Sequence, residues 1–259
     1  MGESVGQFIT RTRLERAAFR LAYEPDASVS EIALGSGYSS LSNFSKAFAA
    51  RFGRAPTRVR KRDGLPAGAA QRARSAQRPP DPGRLFALPR EAGAAERERR
   101  YQKLARSVRF ERCEARSLAC LASANGYELA ATEAAWSELV ARALQLGIEQ
   151  PLDAFGLSFD SPQLTRPELC RYYACVACPD EIALAPPLFR SELPAGRYAV
   201  FPYAGAVSGV EDTYRSIYSI WLPRSSLRPD EFTPIDHYVK GGPVRGQIEM
   251  EIWIKVRAR

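Results

Sequence analysis

Residues 32–60 read IALGSGYSSLSNFSKAFAARFGRAPTRVR, and the spacing of apolar residues and glycines within them decides the first part of the fold. Ile32, Ala33 and Leu34 belong to a short helix for which Ser28 and Ser30 offer N-caps, with Glu31 three residues after Ser28 as in a capping box. Gly35 and Gly37 suit the turn that follows, because glycine takes positive φ without a Cβ clash. A second helix from about Ser40 to Phe52 buries Phe44 and Phe48 at i, i+4 and ends at Gly53, with Pro56 beyond it. The result is helix, tight turn, helix. Upstream, Val5, Phe8, Ile9, Leu14, Ala17, Ala18 and Leu21 recur at spacings of three and four, which predicts a helix over 4–23 that ends near Pro25.

Charge divides the 259-residue chain unevenly. Residues 1–62 carry 11 Lys/Arg against 5 Asp/Glu, residues 63–106 carry 10 against 5, and residues 107–259 carry 16 against 19. The first two stretches are drawn to a polyanion such as nucleic acid and the last is not. Residues 63–106, rich in Ala, Arg, Gly and Pro, have too few large apolar residues for a core and read as a flexible basic linker. Their end, EAGAAERERRYQKLAR, has helical composition but is polar all round, so a helix there needs a neighbour. No apolar run approaches the roughly 18 residues of a membrane span, and the chain start has no signal-peptide core. With five cysteines, an odd number, a disulfide framework is not expected, and the reading is a cytoplasmic protein with reduced thiols.

Residues 107–259 repeat the order strand, helix, strand, strand at a spacing of about 75 residues, which predicts two similar halves and an antiparallel sheet. The first set is 117–127, 130–147, 154–159 and 169–178; the second is 196–207, 210–222, 232–239 and 247–256. In the last strand Ile248, Met250, Ile252 and Ile254 form a face that packs on helices, leaving Glu249, Glu251 and Trp253 on the other. Two carboxylates and an indole on one face can bind a cation by charge and by cation–π contact. Cys175 and Cys178 read as plain buried cysteines without a second pair to complete a metal site. His237, the only histidine, has no nucleophile motif beside it.

Ile32, Ala33, Gly37, Tyr38, Phe44, Phe48, Phe52, Gly53, Pro56 and Arg60 make residues 32–60 resemble the second helix-turn-helix of the AraC/XylS transcriptional regulators, with Val59 where that family has an aromatic. Residues 2–22 match the end of that family's first helix-turn-helix and the helix joining the two, which leaves one reading helix of the usual pair. The resemblance implies that Ser40, Leu41, Ser42, Asn43 and Lys46 face the major groove of double-stranded DNA. Asn43 can read an adenine edge and Lys46 a guanine or a phosphate, while Arg58 and Arg60 contact the backbone.

Residues 107–259 resemble the GyrI-like effector-binding domain through GYELAATEAAWSEL, FGLSFDSP with CRYYACV, LPAGRYAVFPYAG with a Tyr-rich helix ending at Trp221, and EIWI. That resemblance implies a groove of aromatics around a buried acid that binds lipophilic, often cationic, small molecules; carried onto this chain, the acid falls on Glu251. Glu249, Trp253, Tyr173, Tyr203, Trp221 and Tyr127 are then the expected lining, with Tyr173 where the family commonly has Asp.

The whole is an α+β chain: a helix-turn-helix segment over 1–62, a linker over 63–106 and an effector domain over 107–259. It implies a ligand-responsive regulator with DNA and a small-molecule effector as partners, RNA polymerase as a further one, and no cofactor, metal or membrane. Two alternatives stay open, a sequestering protein with a vestigial DNA segment and a hydrolase using Glu251 as base.

Overall fold

The computed structural model describes residues 3–24, 26–60, 93–161, 165, 167–230, 233–238 and 247–258, in two compact units. The expected break at Pro25, the linker over 63–92 and the side chain of Arg60 lie outside the described residues.

Among its described residues the first unit holds four helices: α1 (Val5–Tyr23), α2 (Val29–Gly35), α3 (Leu41–Phe52) and α4 (Pro56–Arg60). Side chains at their ends decide where three of them start. Ser4 accepts from the Gln7 amide, Ser28 from the Glu31 amide and Ser40 from the Asn43 amide, and Gln7 and Glu31 return a hydrogen bond to the cap residue's own N–H. Gly53, at φ +67°, ends α3 in the left-handed conformation. Phe44, Phe48 and Phe52 form a buried ring ladder with centroid spacings of 5.5 and 4.6 Å, against Leu14, Ala17, Ala18 and Leu21 of α1 and Val59 of α4. Glu15 ties α1 to α3, meeting Arg11 at 3.2 Å and Arg51 at 3.1 Å. The apolar face expected on α1 is only partly buried. Val5 is 76% and Ile9 41% exposed, because α1 packs on the other helices through its second half.

The second unit begins, among its described residues, with α5 (Ala94–Ser107), which composition assigned to the linker. The neighbour that such a polar helix requires is present: Arg100 reaches Asp212 at 2.5 Å and the Ser216 hydroxyl at 3.1 Å, Glu98 pairs with Arg224, and Leu104 is buried. The folded unit thus starts ahead of residue 107.

Two strand–helix–strand–strand sets follow. The first is β2 (Arg116–Ala122), α6 (Leu129–Gln145), β3 (Ala154–Ser158) and β4 (Tyr172–Ala177). The second is β6 (Gly196–Ala206), α7 (Val210–Ser216), β8 (Ile235–Tyr238) and β9 (Gln247–Ala258), with α7 continued by a wider π turn over Ile217–Trp221. Each set is preceded by a short strand that alternation did not reveal, β1 (Arg109–Cys113) and β5 (Phe189–Leu193), and β7 (Leu227–Pro229) adds to β9.

All pairs are antiparallel, in the order β1-β6-β9-β8-β3-β4-β2-β5. The halves therefore meet at β3 and β8 and exchange their first strands. β1 precedes the first half yet edges the second, while β5 does the reverse. Only Glu114 and Ala115 join β1 to β2, and only Pro194 and Ala195 join β5 to β6. Two residues span too little to cross a flat sheet, so the sheet coils until these corners meet. Its inner face is enclosed by Leu118, Cys120, Phe155, Leu157, Cys175, Leu193, Tyr198, Val200, Ile235 and Trp253. Its outer face carries α6 and α7, over Tyr172, Ala174 and Val176 in one half and Phe201, Met250, Ile252 and Ile254 in the other. No helix among the described residues is long and apolar enough to cross a membrane.

Candidate functional site

In the first unit the ring ladder turns Phe44, Phe48 and Phe52 inward, which leaves Leu41, Ser42, Asn43 and Lys46 exposed. The Ser40 hydroxyl oxygen is engaged by the Asn43 amide at 3.2 Å, so Ser40 acts first as the cap that orients the helix start. Arg58 is exposed on α4. The N-terminal half of α3 thus presents an amide, hydroxyls and an ammonium without any apolar cover, the chemistry needed at a base edge and a phosphate.

In the second unit the seven expected lining residues do not share one site. Glu251 and Trp253 lie together on the inner face, Tyr173 lies on that face in the other half, and Glu249 is exposed. Tyr203 and Trp221 belong to the outer side, where Trp221 packs edge-on against Phe201 at 5.0 Å and the Tyr203 hydroxyl donates to the Ala206 carbonyl. Tyr127, in the loop before α6, donates to the Asp160 carbonyl at 2.6 Å. The cause is strand alternation, since odd positions of β9 point inward while Tyr203 of β6 pairs opposite Met250 on the helix side.

Glu251, expected as the acid of an aromatic groove, is surrounded by charged and polar partners. Arg109, delivered by the exchanged strand β1, meets its carboxylate at 2.7 Å, and the Trp253 indole N–H donates to it at 3.1 Å. Burial opposes ionisation there, but Arg109 and Trp253 outweigh it and hold the Glu251 carboxyl below its ordinary range. His237 Nδ1 lies 3.4 Å from Glu251, and its Nε2 lies 2.8 Å from Asp153, which meets Arg116 at 2.8 Å. Burial lowers the affinity of His237 for a proton, yet Asp153 and Glu251 raise it by more. With His237 protonated, Arg109, Glu251, His237, Asp153 and Arg116 form a row of alternating sign, and Glu111, 2.7 Å from Arg109, supplies the third negative charge that makes the group neutral.

Asp236, one residue away, points to the other face and was not among the residues expected at a site. It is buried under α7, where the Tyr214 hydroxyl donates to its Oδ1 at 2.5 Å. Among the described residues no Lys, Arg or His pairs with it. Tyr238, on the same face of β8, lies hydroxyl to hydroxyl with Tyr172 at 3.2 Å, and the Trp136 indole N–H donates to Tyr172 at 2.9 Å. Trp136 and Tyr238 meet edge to face at 5.1 Å. Gly156 stands opposite Asp236 on β3, and a Cβ there would fall 2.6 Å from the Tyr172 hydroxyl, so only glycine admits this ring.

Burial pushes the Asp236 carboxyl up to about 6, with the Tyr214 hydrogen bond acting in the opposite sense. Burial also raises Tyr214 and Tyr238, and the Asp236 charge adds to both shifts. Among the described residues the assembly is a carboxylate without a counter-ion, walled by phenols and an indole whose faces attract cations. The sequence signal was present in PIDHYV, where alternation puts Asp236 and Tyr238 on one face. Which face meets the helices follows only from the register His237 opposite Glu251. All five cysteines are buried free thiols, and no group of three His, Cys, Asp or Glu able to hold a metal occurs among the described residues.

Residues 107–257 match the profile of the GyrI-like small molecule binding domain, and residues 1–62 match that of a helix-turn-helix domain. A probable transcriptional regulator, YgiV of Escherichia coli (strain K12), is 27% identical over 103 residues, covering 39% of this chain and 64% of YgiV. The cryo-EM structure of the EcmrR–DNA complex superposes with a TM-score of 0.50 at 11% identity, over 59% of this chain and 57% of EcmrR. The EcmrR C-terminal domain gives 0.46 at 12% identity, over 59% of this chain and 98% of that domain. The chain thus spans less than two thirds of the full-length relatives YgiV and EcmrR.

Proposed function

This chain belongs to the GyrI-like small-molecule-binding family, and from that premise we propose that it is a DNA-binding transcriptional regulator whose effector is a lipophilic cation. Residues 1–62 read double-stranded DNA through Asn43 and Lys46, the folded unit from Ala94 onward binds the effector, and the basic stretch between them joins the two. The observation that carries the effector class is Asp236, a buried carboxylate among aromatic side chains with no cation beside it among the described residues. An unpaired buried charge is costly, and a ligand that brings the missing counter-charge removes that cost as it binds. The unit is a sensor and not an enzyme. The cytoplasm, where DNA is accessible and thiols stay reduced, is the compartment that this reading implies.

Phenyltrimethylammonium and tert-butylbenzene have the same shape and differ by one charge, so calorimetry with the pair isolates the electrostatic part of binding. Asp236→Asn is expected to lower affinity for the cation about 10- to 100-fold, the range of one charge-assisted contact, and to leave the neutral compound unchanged. The same variant retains DNA binding in a mobility shift, whereas Asn43→Ala with Lys46→Ala loses DNA and keeps the cation. Equal affinity of wild type and Asp236→Asn for phenyltrimethylammonium would refute the effector assignment.

A further inference from the structure

Arginines of the second unit are mostly answered by carboxylates, as Arg100, Arg109, Arg116, Arg171 and Arg224 show. Arg112 and Arg197 are not. The register of β1 on β6 sets them directly opposite one another on the outer face, both exposed, with no carboxylate in ion-pair range among the described residues. Phe110, two residues before Arg112 and on the same face, is 45% exposed, and the Arg197 guanidinium lies over its ring at 4.5 Å. Like charges directly opposite on neighbouring strands destabilise a sheet unless an anion lies between them. A guanidinium held over an aromatic ring is not consumed by an ion pair, and its planar N–H fork matches phosphate oxygens.

We propose that Arg112 and Arg197 form a phosphate clamp by which the effector unit grips the backbone of the duplex that the helix-turn-helix reads. The inference rests on the regulator reading above. Charge arithmetic favours a local contact: residues 94–259 carry 21 basic against 21 acidic residues, so this body has no net charge drawing it to DNA as a whole, and an uncompensated pair is the feature that can be drawn. Residues 61–92 are long enough to reach roughly 100 Å when extended, so chain length does not keep the clamp from the same duplex. The contact adds affinity without sequence preference, because phosphates carry no base information. It also gives the effector unit a direct hold on DNA, through the strand that delivers Arg109 to its inner face.

The test uses the full chain and a duplex obtained from it by binding-site selection, with affinity measured across a range of salt concentrations. Each phosphate contact contributes about 0.9 to the slope of log K against log salt, so Arg112→Gln with Arg197→Gln should flatten the slope by about 1 to 2 units. Affinity at moderate salt should fall about tenfold or more, with the selected sequence unchanged. Arg112→Lys with Arg197→Lys should keep most of the slope. Urea denaturation of the Gln variant should show an equal or higher midpoint, since a like-charge pair has been removed, and that excludes misfolding as the cause. An unchanged slope in a folded Gln variant that still binds the duplex overturns the clamp and leaves the regulator reading standing. Absence of duplex binding by the wild-type chain overturns that reading and the clamp with it.

Discussion

Replacing Asp236 by Asn removes a charge that the folded chain holds at a cost, and that cost can be worked from its surroundings. Burial raises the carboxyl from its ordinary 3.8 to about 6. In the unfolded chain it titrates near 3.8, so between about pH 4 and 6 the folded state keeps a proton that the unfolded state has released. Stability contributed by this group is therefore full below the lower value and is lost as pH rises through the upper one. At about 1.4 kcal/mol per unit of pKa difference, the loss amounts to about 3 kcal/mol above pH 6. Urea denaturation followed by tryptophan fluorescence reports on this unit alone, because Trp136, Trp221 and Trp253 all lie in it. Subtracting the Asp236→Asn unfolding free energy from that of wild type at each pH cancels the groups common to both. The remainder should fall by about 3 kcal/mol from pH 4 to 7. A flat difference would refute the reasoning, since it would mean that the carboxyl is hydrated or already paired. The same titration governs the effector: phenyltrimethylammonium affinity should drop about tenfold per pH unit below 6, while tert-butylbenzene shows no such dependence.

Gly156→Ala brings a Cβ to 2.6 Å from the Tyr172 hydroxyl and should destabilise the unit by about 1–3 kcal/mol, read as a lower urea midpoint; a wild-type midpoint would show that Tyr172 has room to move. Glu251→Gln should leave the ratio of cation to neutral affinity unchanged while lowering the His237 pKa, measured by NMR, because Glu251 favours the protonated ring. A fall in that ratio as large as the one at Asp236 would restore Glu251 as the reader of charge. Ser40→Ala removes the acceptor for the Asn43 amide and should cost about 1 kcal/mol at the start of α3, seen as faster exchange of that amide and weaker DNA binding.

Features fixed within a few residues were legible in the sequence. Ser28 with Glu31, Ser40 and Gly53 define helix ends by local side-chain and backbone chemistry, and the structure shows each of them in that role. The duplicated strand–helix–strand–strand order was legible for the same reason, since alternation and helical spacing are local. What escaped depends on distant partners. RFERC and FRSEL, the strands β1 and β5, mix charge with single apolar residues and become strands only because each finds an edge in the other half of the domain. Helix α5 escaped likewise: its own composition is polar, and Asp212, Ser216 and Arg224, more than a hundred residues on, hold it in place.

The choice between two acids turns on the same distinction. Glu251 and Asp236 both alternate with aromatics on antiparallel strands, and local pattern gives them equal standing as readers of charge. They differ in what the fold brings to them. Strand exchange carries Arg109 from the first half onto the edge of the second, where it neutralises Glu251. Among the described residues no such strand brings a cation to the opposite face, where Tyr214 of α7 donates a hydrogen bond to Asp236 but carries no positive charge. Adjacent residues of β8 thus differ: His237 belongs to a paired row of charges, while Asp236 has no charged partner among the described residues. Which carboxylates the described residues leave without a charged partner is therefore a property of the pairing order.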